Sequence, residues 1–432
     1  MSTQTPAPPA PGHPGLGDPP LATRPGRVPV GADTGAGRVR ERTHPRLVGP
    51  ESGLVARVGP QQYTFREGAL DDLSSILDEG GYRSLALVHG DIGVGKARPY
   101  LPDPGERGVE VLDVPFGGEC TVEEAERIAR LLVEADVNAV LAVGGGKVLD
   151  TAKAAALRAG DLPLVLVPTL ASNCAPWACL SVMYEPDGTP IGHEIHPTQA
   201  KALLVEPRIL LDSPLETLRA GIGDTLAKWY ECAGGLRAAP ASDLCVGLAT
   251  HAARQCRDIL LEDGAQALAD MGNGTASAQW RRVVQVVIMT AGLVGSFGGS
   301  FGRATGAHAV HDGISVLPSQ ARTPHGTKVA YGTLVQLALE DRWQEVDELD
   351  PVHDALGLPC TLEDLRVTEP REAAVRTIAR VATLPGKTIH NLPFPVTARD
   401  VERAIDALED HEAARAKGRT STPIPTGGHP HG

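Results

Sequence analysis

The chain has 432 residues, and 40 basic against 53 acidic side chains give a formal net charge of −13. This length exceeds what one hydrophobic core usually supports, so we expect two packed lobes. The acidic balance, with no basic stripe interleaved with aromatic residues, argues against nucleic acid or an anionic membrane as a partner. Seven irregularly spaced cysteines without a C-x-x-C pair are typical of a reducing, cytoplasmic protein rather than of a disulfide framework.

The two ends of the chain differ in composition from its middle. Residues 1–50 are dense in proline and glycine and poor in large apolar side chains, which predicts a disordered arm. Residues 413–432 receive the same interpretation. The start of the chain lacks the charged-then-apolar order of a signal peptide. The longest apolar run, at 283–295, is too short for a membrane span and is typical of a core helix.

Residues 51–215 alternate short β-branched runs with helical patterns, which predicts an α/β domain with a parallel sheet. We predict strands at 83–90, 138–143 and 162–169. Between the first two, a helix is expected to begin at a capping box formed by Thr121 and Glu124. Residues 216–412 carry helical patterns instead, which predicts an all-α domain. Ligands of such proteins usually bind where the lobes meet, beside the carboxyl ends of the parallel strands.

The stretch VLAVGGGKVLDTAKA places Gly144, Gly145 and Gly146 between a buried strand and a helix. Without Cβ atoms, such a turn lets backbone N–H groups face an anion, for which a dinucleotide pyrophosphate is the natural candidate. The turn is not G-x-G-x-x-G, so a plain strand-to-helix turn is an equal alternative. Asp91 follows the strand predicted at 83–90, where a carboxylate can bond ribose hydroxyls and repel a 2′-phosphate; a solvated loop aspartate is the alternative.

Further along the chain, polar side chains occur in apolar surroundings. Asp224 lies in GIGDTLAKWYE, and His325 lies in TPHGTKVAYG. His308 and His311 are one helical turn apart in GAHAVHDG. One carboxylate and two imidazoles are a normal ligand set for a catalytic divalent ion with one open position. Their wide spacing matches no compact metal motif, so core histidines bonded to backbone groups are the alternative.

Motifs along residues 55–410 resemble those of a known enzyme superfamily in both order and approximate spacing. They are GGGKVLDTAKAAA, VPTLASN, LSVMYEPDG, AGIGDTLAKWYE, AHAVHDGISVLP and HGTKVAYGTLVQLAL. On these motifs the chain is identified as a member of the iron-containing alcohol dehydrogenase superfamily, glycerol dehydrogenase branch. The resemblance implies the dehydroquinate synthase-like fold of that superfamily, with a Rossmann-like α/β lobe followed by an all-α lobe.

The same resemblance implies NAD or NADP at the glycine turn and a divalent metal bound by Asp224, His308 and His325. Iron-using members have a histidine ligand one turn after the aspartate, where this chain has Lys228. A protonated lysine cannot bind a metal, so the three remaining ligands favour Zn²⁺ over Fe²⁺ or another divalent ion. Lys228 would pair with Asp224 or with a substrate anion; an ordinary i,i+4 pair on a helix surface is the alternative.

The cofactor contacts implied by the resemblance lie in the glycine turn and in the segments that follow it. They are Gly145, Gly146, Lys147 and Asp150, then Thr169 and Ser172 of PTLAS, then Leu180 and Tyr184. The choice between NAD and NADP depends on Asp91.

The substrate side departs from the glycerol dehydrogenases, which have a polyol-binding aspartate where this chain has Cys174. Cysteine is a poor hydrogen-bond acceptor, which argues against a polyol. The combination of NCAPW, GIGDTLAKWYE, HGTKVAYG and TIHNLPFPVT looks more like the hydroxycarboxylate dehydrogenase A-like subgroup, which implies reduction of 2-oxo acids to 2-hydroxy acids. Lys228 or Arg303 would then balance the substrate charge. Cys174 and Trp177 would shape the substrate site, or else pack beneath it.

The implied reaction is hydride transfer between the nicotinamide and a small carbonyl or alcohol whose oxygen the metal polarises. His311 would relay the proton, or would instead orient one of the metal ligands. The alternatives are a glycerol or polyol dehydrogenase, a specialised aldehyde or ketone reductase, a dehydroquinate synthase-like cyclase, and a non-catalytic binding protein on the same fold. The oligomeric state stays open, with a homo-oligomer among the alternatives.

Overall fold

A computed structural model of the chain describes residues 56–235 and 244–421, without the side chains of 300–301 and 418–421. The predicted arm at 1–50 lies outside the described residues, as do residues 422–432 of the predicted tail. The described part comprises an α/β lobe followed by a helical lobe.

A six-stranded sheet forms the centre of the first lobe. The strands of the described chain are β1 Gln62–Phe65, β2 Ser84–His89, β3 Glu110–Pro115, β4 Ala139–Gly144, β5 Leu164–Pro168, β6 Leu180–Tyr184, β7 Pro190–Ile195 and β8 Ala202–Val205. The sheet has the order β1-β8-β5-β4-β2-β3, and every neighbouring pair is parallel. β6 and β7 form a separate antiparallel hairpin. The predicted Rossmann-like sheet is confirmed, and the three predicted strands are β2, β4 and β5.

The helices of the described chain follow the strands and then continue alone. They are α1 Asp72–Gly80, α2 Asp91–Ala97, α3 Val122–Glu134, α4 Gly146–Arg158, α5 Pro207–Leu211, α6 Leu215–Gly235, α7 Leu244–Gly272, α8 Ala278–Gln285, α9 Ala291–Arg303, α10 Gly306–Ser315, α11 His325–Leu339, α12 Trp343–Leu356, α13 Arg371–Ala382 and α14 Ala398–Ser421. Beyond β8 the described residues contain no further strand, so the second lobe is all-α as predicted.

Strand β4 explains why the sheet is the core of its lobe. All six of its residues are buried. Ala139, Leu141 and Val143 pack in the same apolar cluster as α1 and α2, whereas Val140 and Ala142 pack with α3 and α4. Side chains alternate between the two faces of a strand, and a strand covered on both faces reads as a continuous apolar run.

The predicted capping box at the start of α3 is half formed. The Thr121 hydroxyl accepts a hydrogen bond from the Glu124 backbone N–H at 3.1 Å, as a helix N-cap does. The Glu124 carboxylate does not return to the N-cap backbone; it accepts from the Gly117 N–H at 2.8 Å and pairs with Arg127. The carboxylate therefore fixes the preceding loop instead of closing the box.

The last helix is longer than the sequence pattern indicated. α14 continues through Ser421, so residues 413–421, which we predicted as the start of a disordered tail, are helical. One reason is a tertiary contact, because Arg415 on this helix lies 2.9 Å from an Asp350 carboxylate oxygen on α12. Such a partner is invisible in the local composition.

The apolar run predicted as a core helix belongs to the stretch Ala278–Gly299, which joins α8 to α9 through a π-helical turn at Val286–Thr290. Among the described residues, this is the one helical stretch long and apolar enough to cross a membrane. In the fold 72% of that apolar window is buried. Packing against α6 and α7 therefore accounts for its apolar character.

The contact between α12 and α14 encloses two carboxylates. Asp350 and Glu412 are both buried, and Arg415 pairs with each of them. Burial, followed by the adjacent Glu412 carboxylate, raises the pKa of Asp350 to about 7. The folded state therefore holds this proton more tightly than the unfolded state does. The associated stability is lost as the pH rises from the ordinary Asp pKa of 3.8 through about 7.

Asp350→Asn is expected to raise the free energy of unfolding at pH 8 by roughly 1–3 kcal/mol and to change it little at pH 5. At pH 8 the substitution removes one of two buried negative charges, whereas at pH 5 Asp350 is already protonated. Urea unfolding at the two pH values measures the effect. Asp406→Asn, at an exposed carboxylate of α14, is the control and should show no pH-dependent difference. An equal loss of stability at both pH values would contradict the expectation.

Candidate active site

Three loops meet at the carboxyl edge of the sheet. β5, β4 and β2 are neighbours, and their ends align, with Gly144 opposite Pro168 and His89 opposite Val143. Asp91 follows β2, the glycine turn follows β4, and Thr169 follows β5, where its N–H donates to the Gly144 carbonyl at 3.0 Å. The segments predicted to bind the cofactor are thus brought to one edge.

The glycine turn is tight and leaves the start of α4 open. Gly145 is the N-cap of α4, and no side chain caps the helix there. A Cβ on Gly144 would lie 2.6 Å from the Val148 side chain, and one on Gly145 would lie 2.9 Å from Leu170. Glycine is therefore needed for the turn itself, and the unpaired N–H groups of the first turn are available to an anion.

Two of the residues predicted to contact the cofactor interact with each other. The Lys147 ammonium lies 4.8 Å from the centre of the Tyr184 ring and pairs with the Glu119 carboxylate. Lys147 is exposed and is the second residue of α4, at the open start of this helix. The pair covers the turn from the side of strand β6, which Tyr184 ends.

Asp150, one of the predicted cofactor contacts, has its carboxylate engaged inside the lobe. It is 5% exposed, accepts the Val182 N–H at 2.9 Å and lies 2.8 Å from the Lys153 ammonium. Burial raises its pKa, against the lowering effect of Lys153. The side chain thus ties α4 to strand β6.

Lys153 is a structural residue that the sequence interpretation missed. It is 7% exposed, and its ammonium donates to the carbonyls of Ala175, Ala178 and Leu180 at 2.9, 3.0 and 2.5 Å. These carbonyls belong to the loop that contains Cys174 and leads into β6. One buried cation therefore fixes this loop on α4. The motif DTAK alone does not predict this role, because the role depends on carbonyl groups that the motif does not contain.

The helical lobe meets the sheet edge through glycines on α6. A Cβ on Gly221 would lie 2.3 Å from the Ala171 carbonyl oxygen, in the loop after β5. α6 also crosses α11 in backbone contact, since a Cβ on Gly326 would lie 1.8 Å from the Ala220 carbonyl oxygen. These approaches place the start of α11 and the middle of α6 beside the cofactor edge.

Asp224, His308 and His325, called here the ligand cluster, converge at this place. The Nε2 atoms of His308 and His325 lie 3.3 and 3.2 Å from the same oxygen, Oδ1 of Asp224. One potential ligand atom from each residue lies within 4.8 Å of the others. Asp224 is 2% exposed, and its Oδ1 has no hydrogen-bond partner of good geometry. Two ring nitrogens that converge on one buried carboxylate oxygen fit a divalent cation.

The pKa shifts of Asp224 and His325 are consistent with a metal site. Burial raises the pKa of Asp224, but the Lys228 ammonium and the two imidazoles outweigh it and hold the pKa well below its usual range. Burial lowers the pKa of His325. Asp224 is therefore a carboxylate, the form that binds metal ions.

Glu231 is a second residue that the sequence interpretation missed. It lies two turns after Asp224 on the same face of α6 and is fully buried. Its Oε2 lies 2.7 Å from Nδ1 of His308, and its Oε1 accepts the N–H groups of Thr305 and His308 at 2.8 and 3.0 Å. Burial lowers the pKa of His308, but Glu231 outweighs burial and raises that pKa to about 9. Because Nδ1 faces Glu231, Nε2 is the ring nitrogen that faces Asp224.

Lys228 lies one turn after Asp224 and is 6% exposed. Its ammonium lies 4.0 Å from Asp224 Oδ1 and donates to the Arg303 carbonyl at 3.4 Å. Burial lowers the pKa of Lys228, but Asp224 and its other acidic neighbours outweigh burial and raise it. Lys228 is thus a buried cation beside the ligand cluster, not a surface lysine in an i,i+4 pair.

His311 is on α10 with His308, as predicted, but both of its ring nitrogens are already engaged. Nδ1 lies 3.1 Å from Asp312 Oδ1, and Nε2 lies 3.2 Å from the Ser315 hydroxyl. The ring packs edge-on against His325 with centroids 4.1 Å apart. Burial lowers the pKa of His311 to about 3. This geometry favours a residue that positions His325 over a proton relay.

Cys174 and Trp177 occupy different parts of the same loop. Cys174 is half-buried, and burial raises the pKa of its thiol despite the nearby Lys228. The Trp177 indole donates to the Val58 carbonyl at 2.6 Å and packs edge-on against Tyr63. A Cβ on Gly292 would lie 2.5 Å from this indole. Trp177 therefore packs between the first strand and α9, while Cys174 remains beside the charged groups of the cleft.

Comparisons with known proteins decide the family. Residues 60–207 match the family model described as iron-containing alcohol dehydrogenase. Hydroxycarboxylate dehydrogenase A of Escherichia coli (strain K12) is 35% identical over 368 residues, which are 84% of this chain and 100% of that protein. The chain belongs to the iron-containing alcohol dehydrogenase family.

Within the iron-containing alcohol dehydrogenases, the chain is in the glycerol dehydrogenase-like branch. Glycerol dehydrogenase of Pseudomonas putida is 37% identical over 306 residues, covering 69% of this chain and 82% of that one. A crystal structure of a probable glycerol dehydrogenase from Sinorhizobium meliloti 1021 aligns with a TM-score of 0.75 at 29% identity, covering 82% of this chain and 98% of that one. The predicted family and fold are confirmed. As an iron-containing alcohol dehydrogenase, the chain is a metal-dependent, nicotinamide-linked oxidoreductase of alcohols.

Proposed function

We propose that this dehydrogenase interconverts a 2-oxo acid and the corresponding 2-hydroxy acid. The observation that carries the proposal is the buried ammonium of Lys228, 4.0 Å from Asp224 Oδ1. A 2-oxo acid has a carboxylate next to the reacting carbonyl, and a buried cation at that place would balance its charge. Similarity along the full length of hydroxycarboxylate dehydrogenase A supports the same substrate class.

The ligand cluster is the proposed metal site. Its single carboxylate and two imidazoles leave a coordination position open, a donor set that favours Zn²⁺ over Fe²⁺. When bound, the metal supplies Lewis-acid polarisation of the substrate oxygen, and the nicotinamide supplies or accepts the hydride. Glu231 holds the proton on Nδ1 of His308, and His311 packs against His325, so both imidazoles are presented to the site in fixed orientations.

The carboxyl edge of the sheet is the proposed cofactor site. The open start of α4 would receive the pyrophosphate, while Lys147 and Tyr184 would cover it. Thr169 and Ser172, in the loop against α6, would contact the cofactor between the lobes, and Leu180 lies where that loop enters β6. The side chain of Asp91 is 90% exposed at the end of β2, free to accept from ribose hydroxyls, so we propose NAD rather than NADP.

Cys174 would face the substrate rather than act on it. Its thiol stays protonated because burial raises its pKa, so it offers neither a charge nor a strong acceptor. A cleft with a buried ammonium and a neutral thiol suits an anionic carbonyl compound better than a polyol. No disulfide joins any of the seven cysteines in the described part of the chain, which supports a reducing compartment, and we propose the cytoplasm.

Lys228→Met is expected to lower kcat/KM for a 2-oxo acid roughly 10–100-fold, and to change it less than about 3-fold for a carbonyl compound of similar size without a carboxylate. The reason is that only the acid loses a charge partner. A panel of 2-oxo acids, matched ketones and aldehydes, assayed with NADH and NADPH, measures both ratios. Lys96→Met, at an exposed lysine of α2, is the matched control.

A second candidate, oxidation of glycerol or another polyol, is favoured by the similarity to glycerol dehydrogenases. The same panel, run in the oxidising direction with glycerol and small diols, separates the two. A wild-type enzyme that prefers neutral polyols to 2-hydroxy acids, with Lys228→Met affecting both classes equally, would contradict the proposed substrate and support this one.

A further inference from the structure

Lys328 is a buried cation with no partner among the described residues. It lies in the first turn of α11, three residues after His325, and is 7% exposed. The two other buried lysines are both engaged: Lys153 by three carbonyls and Asp150, and Lys228 by Asp224 and the Arg303 carbonyl. In the described part of the chain, the ammonium of Lys328 makes neither an ion pair nor a hydrogen bond. A lysine that is this little exposed and has no partner for its ammonium is unfavourably placed, so an anion from outside the chain is expected beside it.

The surroundings of Lys328 indicate where that anion lies. Burial and, after it, the Lys147 ammonium lower the pKa of Lys328 to about 8, although Asp312 acts in the opposite direction. Asp312 is already paired with Lys387 at 2.7 Å and with His311 at 3.1 Å. The charged group with the largest effect on Lys328 is thus a second cation, Lys147. It lies in the first turn of α4, in the other lobe.

The ammonium groups of Lys147 and Lys328, at the starts of α4 and α11, indicate an anion site shared by the two lobes. Lys147 lies in the first turn of α4 and Lys328 in the first turn of α11, so the positive end of a helix dipole adds to each ammonium group. Lys147 is partly neutralised by Glu119, whereas Lys328 is not neutralised. A dinucleotide pyrophosphate carries two negative charges, while a substrate carboxylate carries one. The double charge and the neighbouring glycine turn both favour the pyrophosphate.

We propose that Lys328 binds the cofactor pyrophosphate from the helical lobe, opposite the glycine turn, so that the dinucleotide is held by charges on both sides of the cleft. This inference rests on the proposed use of a nicotinamide dinucleotide. It adds a cofactor contact that lies outside the α/β lobe, on the same helix as a residue of the ligand cluster. Cofactor binding would therefore draw the start of α11 towards the start of α4.

Binding of ADP-ribose and of NADH to the zinc-loaded protein, measured by calorimetry and by NADH fluorescence, tests the proposal. ADP-ribose has the pyrophosphate but no nicotinamide and no reacting carbonyl. Lys328→Met is expected to raise Kd for both ligands roughly 10–100-fold, as loss of a charge-assisted hydrogen bond does. Lys328→Arg, which keeps the charge, should stay within about 3-fold of wild type. Lys201→Met, which precedes β8 at the amino edge of the sheet, is the matched control.

A stability measurement separates a binding lysine from a structural one. Without cofactor, Lys328→Met should melt no lower than wild type, because the substitution removes an unpaired buried charge. With saturating ADP-ribose, the wild type should gain more in Tm than the variant. A lysine that merely supported the fold would lower the cofactor-free Tm when replaced.

The contrary outcomes are distinct. If wild type and Lys328→Met bind ADP-ribose equally, the inference is wrong. If instead only KM for the carboxylate substrate rises at saturating NADH, the anion is the substrate and the inference is equally wrong. If the wild type binds neither ADP-ribose nor NADH, the proposed function fails, and this inference fails with it.

Discussion

Replacing Asp224 with asparagine is expected to lower kcat by roughly 1,000-fold or more, while the fold and cofactor binding persist. Asp224 contributes the one negative charge of the ligand cluster, and its Oδ1 lies within 3.3 Å of both imidazole nitrogens. An amide is a weak ligand for a divalent cation and carries no charge to offset the Lys228 ammonium. Metal content, turnover with added Zn²⁺, and NADH fluorescence measure the three properties separately.

Asp263→Asn is the matched control for this substitution. Asp263 is likewise a buried carboxylate of the helical lobe, but it pairs with Arg282 away from the ligand cluster. Its replacement should affect stability and leave the metal content unchanged. Turnover in Asp224→Asn close to that of the wild type would remove Asp224, and with it the proposed metal site, from the mechanism.

The second large effect is expected at Glu231, although this residue contacts neither substrate nor cofactor in the proposed site. Glu231→Gln should weaken Zn²⁺ binding roughly 10–100-fold at an unchanged fold. A glutamine oxygen can still accept the N–H groups of Thr305 and His308, but its amide nitrogen then faces Nδ1 of His308 as a donor. Nδ1 must accept, the ring proton moves to Nε2, and the lone pair directed at Asp224 is lost.

Competition with a chromophoric chelator measures the Zn²⁺ affinity of Glu231→Gln, and turnover at saturating Zn²⁺ should recover most of the lost activity. Glu206→Gln is the control, since Glu206 is another fully buried carboxylate, paired with Arg208 in the α/β lobe. A merely structural role for Glu231 predicts a lower Tm with normal Zn²⁺ affinity, and that result would contradict the positioning role.

The sheet and the ligand cluster could be predicted from the sequence because each has a local signature. A strand covered on both faces is a continuous apolar run, which is how β4 was recognised. The three members of the ligand cluster each lie in a distinctive motif. The spacing of these residues matches no compact metal motif, but the order of the motifs along the chain indicates the family and, with it, a shared site. That the cluster converges at Asp224 Oδ1 is a property of the helix crossings, which no single motif contains.

The side chains whose interactions could not be predicted from the sequence are those that depend on distant partners. Glu231, seven positions after Asp224, was recognisable as lying on the same helix face, yet its partner is 77 residues away. Lys328 had the same kind of signal, three positions after His325. Asp150 lies in the glycine-turn motif, but its carboxylate is used by Lys153 and strand β6. Helical spacing predicts a shared face; it does not predict what lies opposite that face.

The crossing of α6 and α11 has a consequence for how this enzyme could change. At Gly326 and Ala220 the two main chains touch with no side chain between them, and a Cβ on Gly223 would lie 2.7 Å from the Gly326 carbonyl oxygen. The spacing of Asp224 and His325 is therefore set by a steric stop in the backbone, whereas the loop around Cys174 is attached through the side chain of Lys153. On the proposed function, substrate preference and metal affinity would therefore be separable traits. We expect variation of that loop to change which carbonyl compound is turned over while the affinity for the metal stays constant.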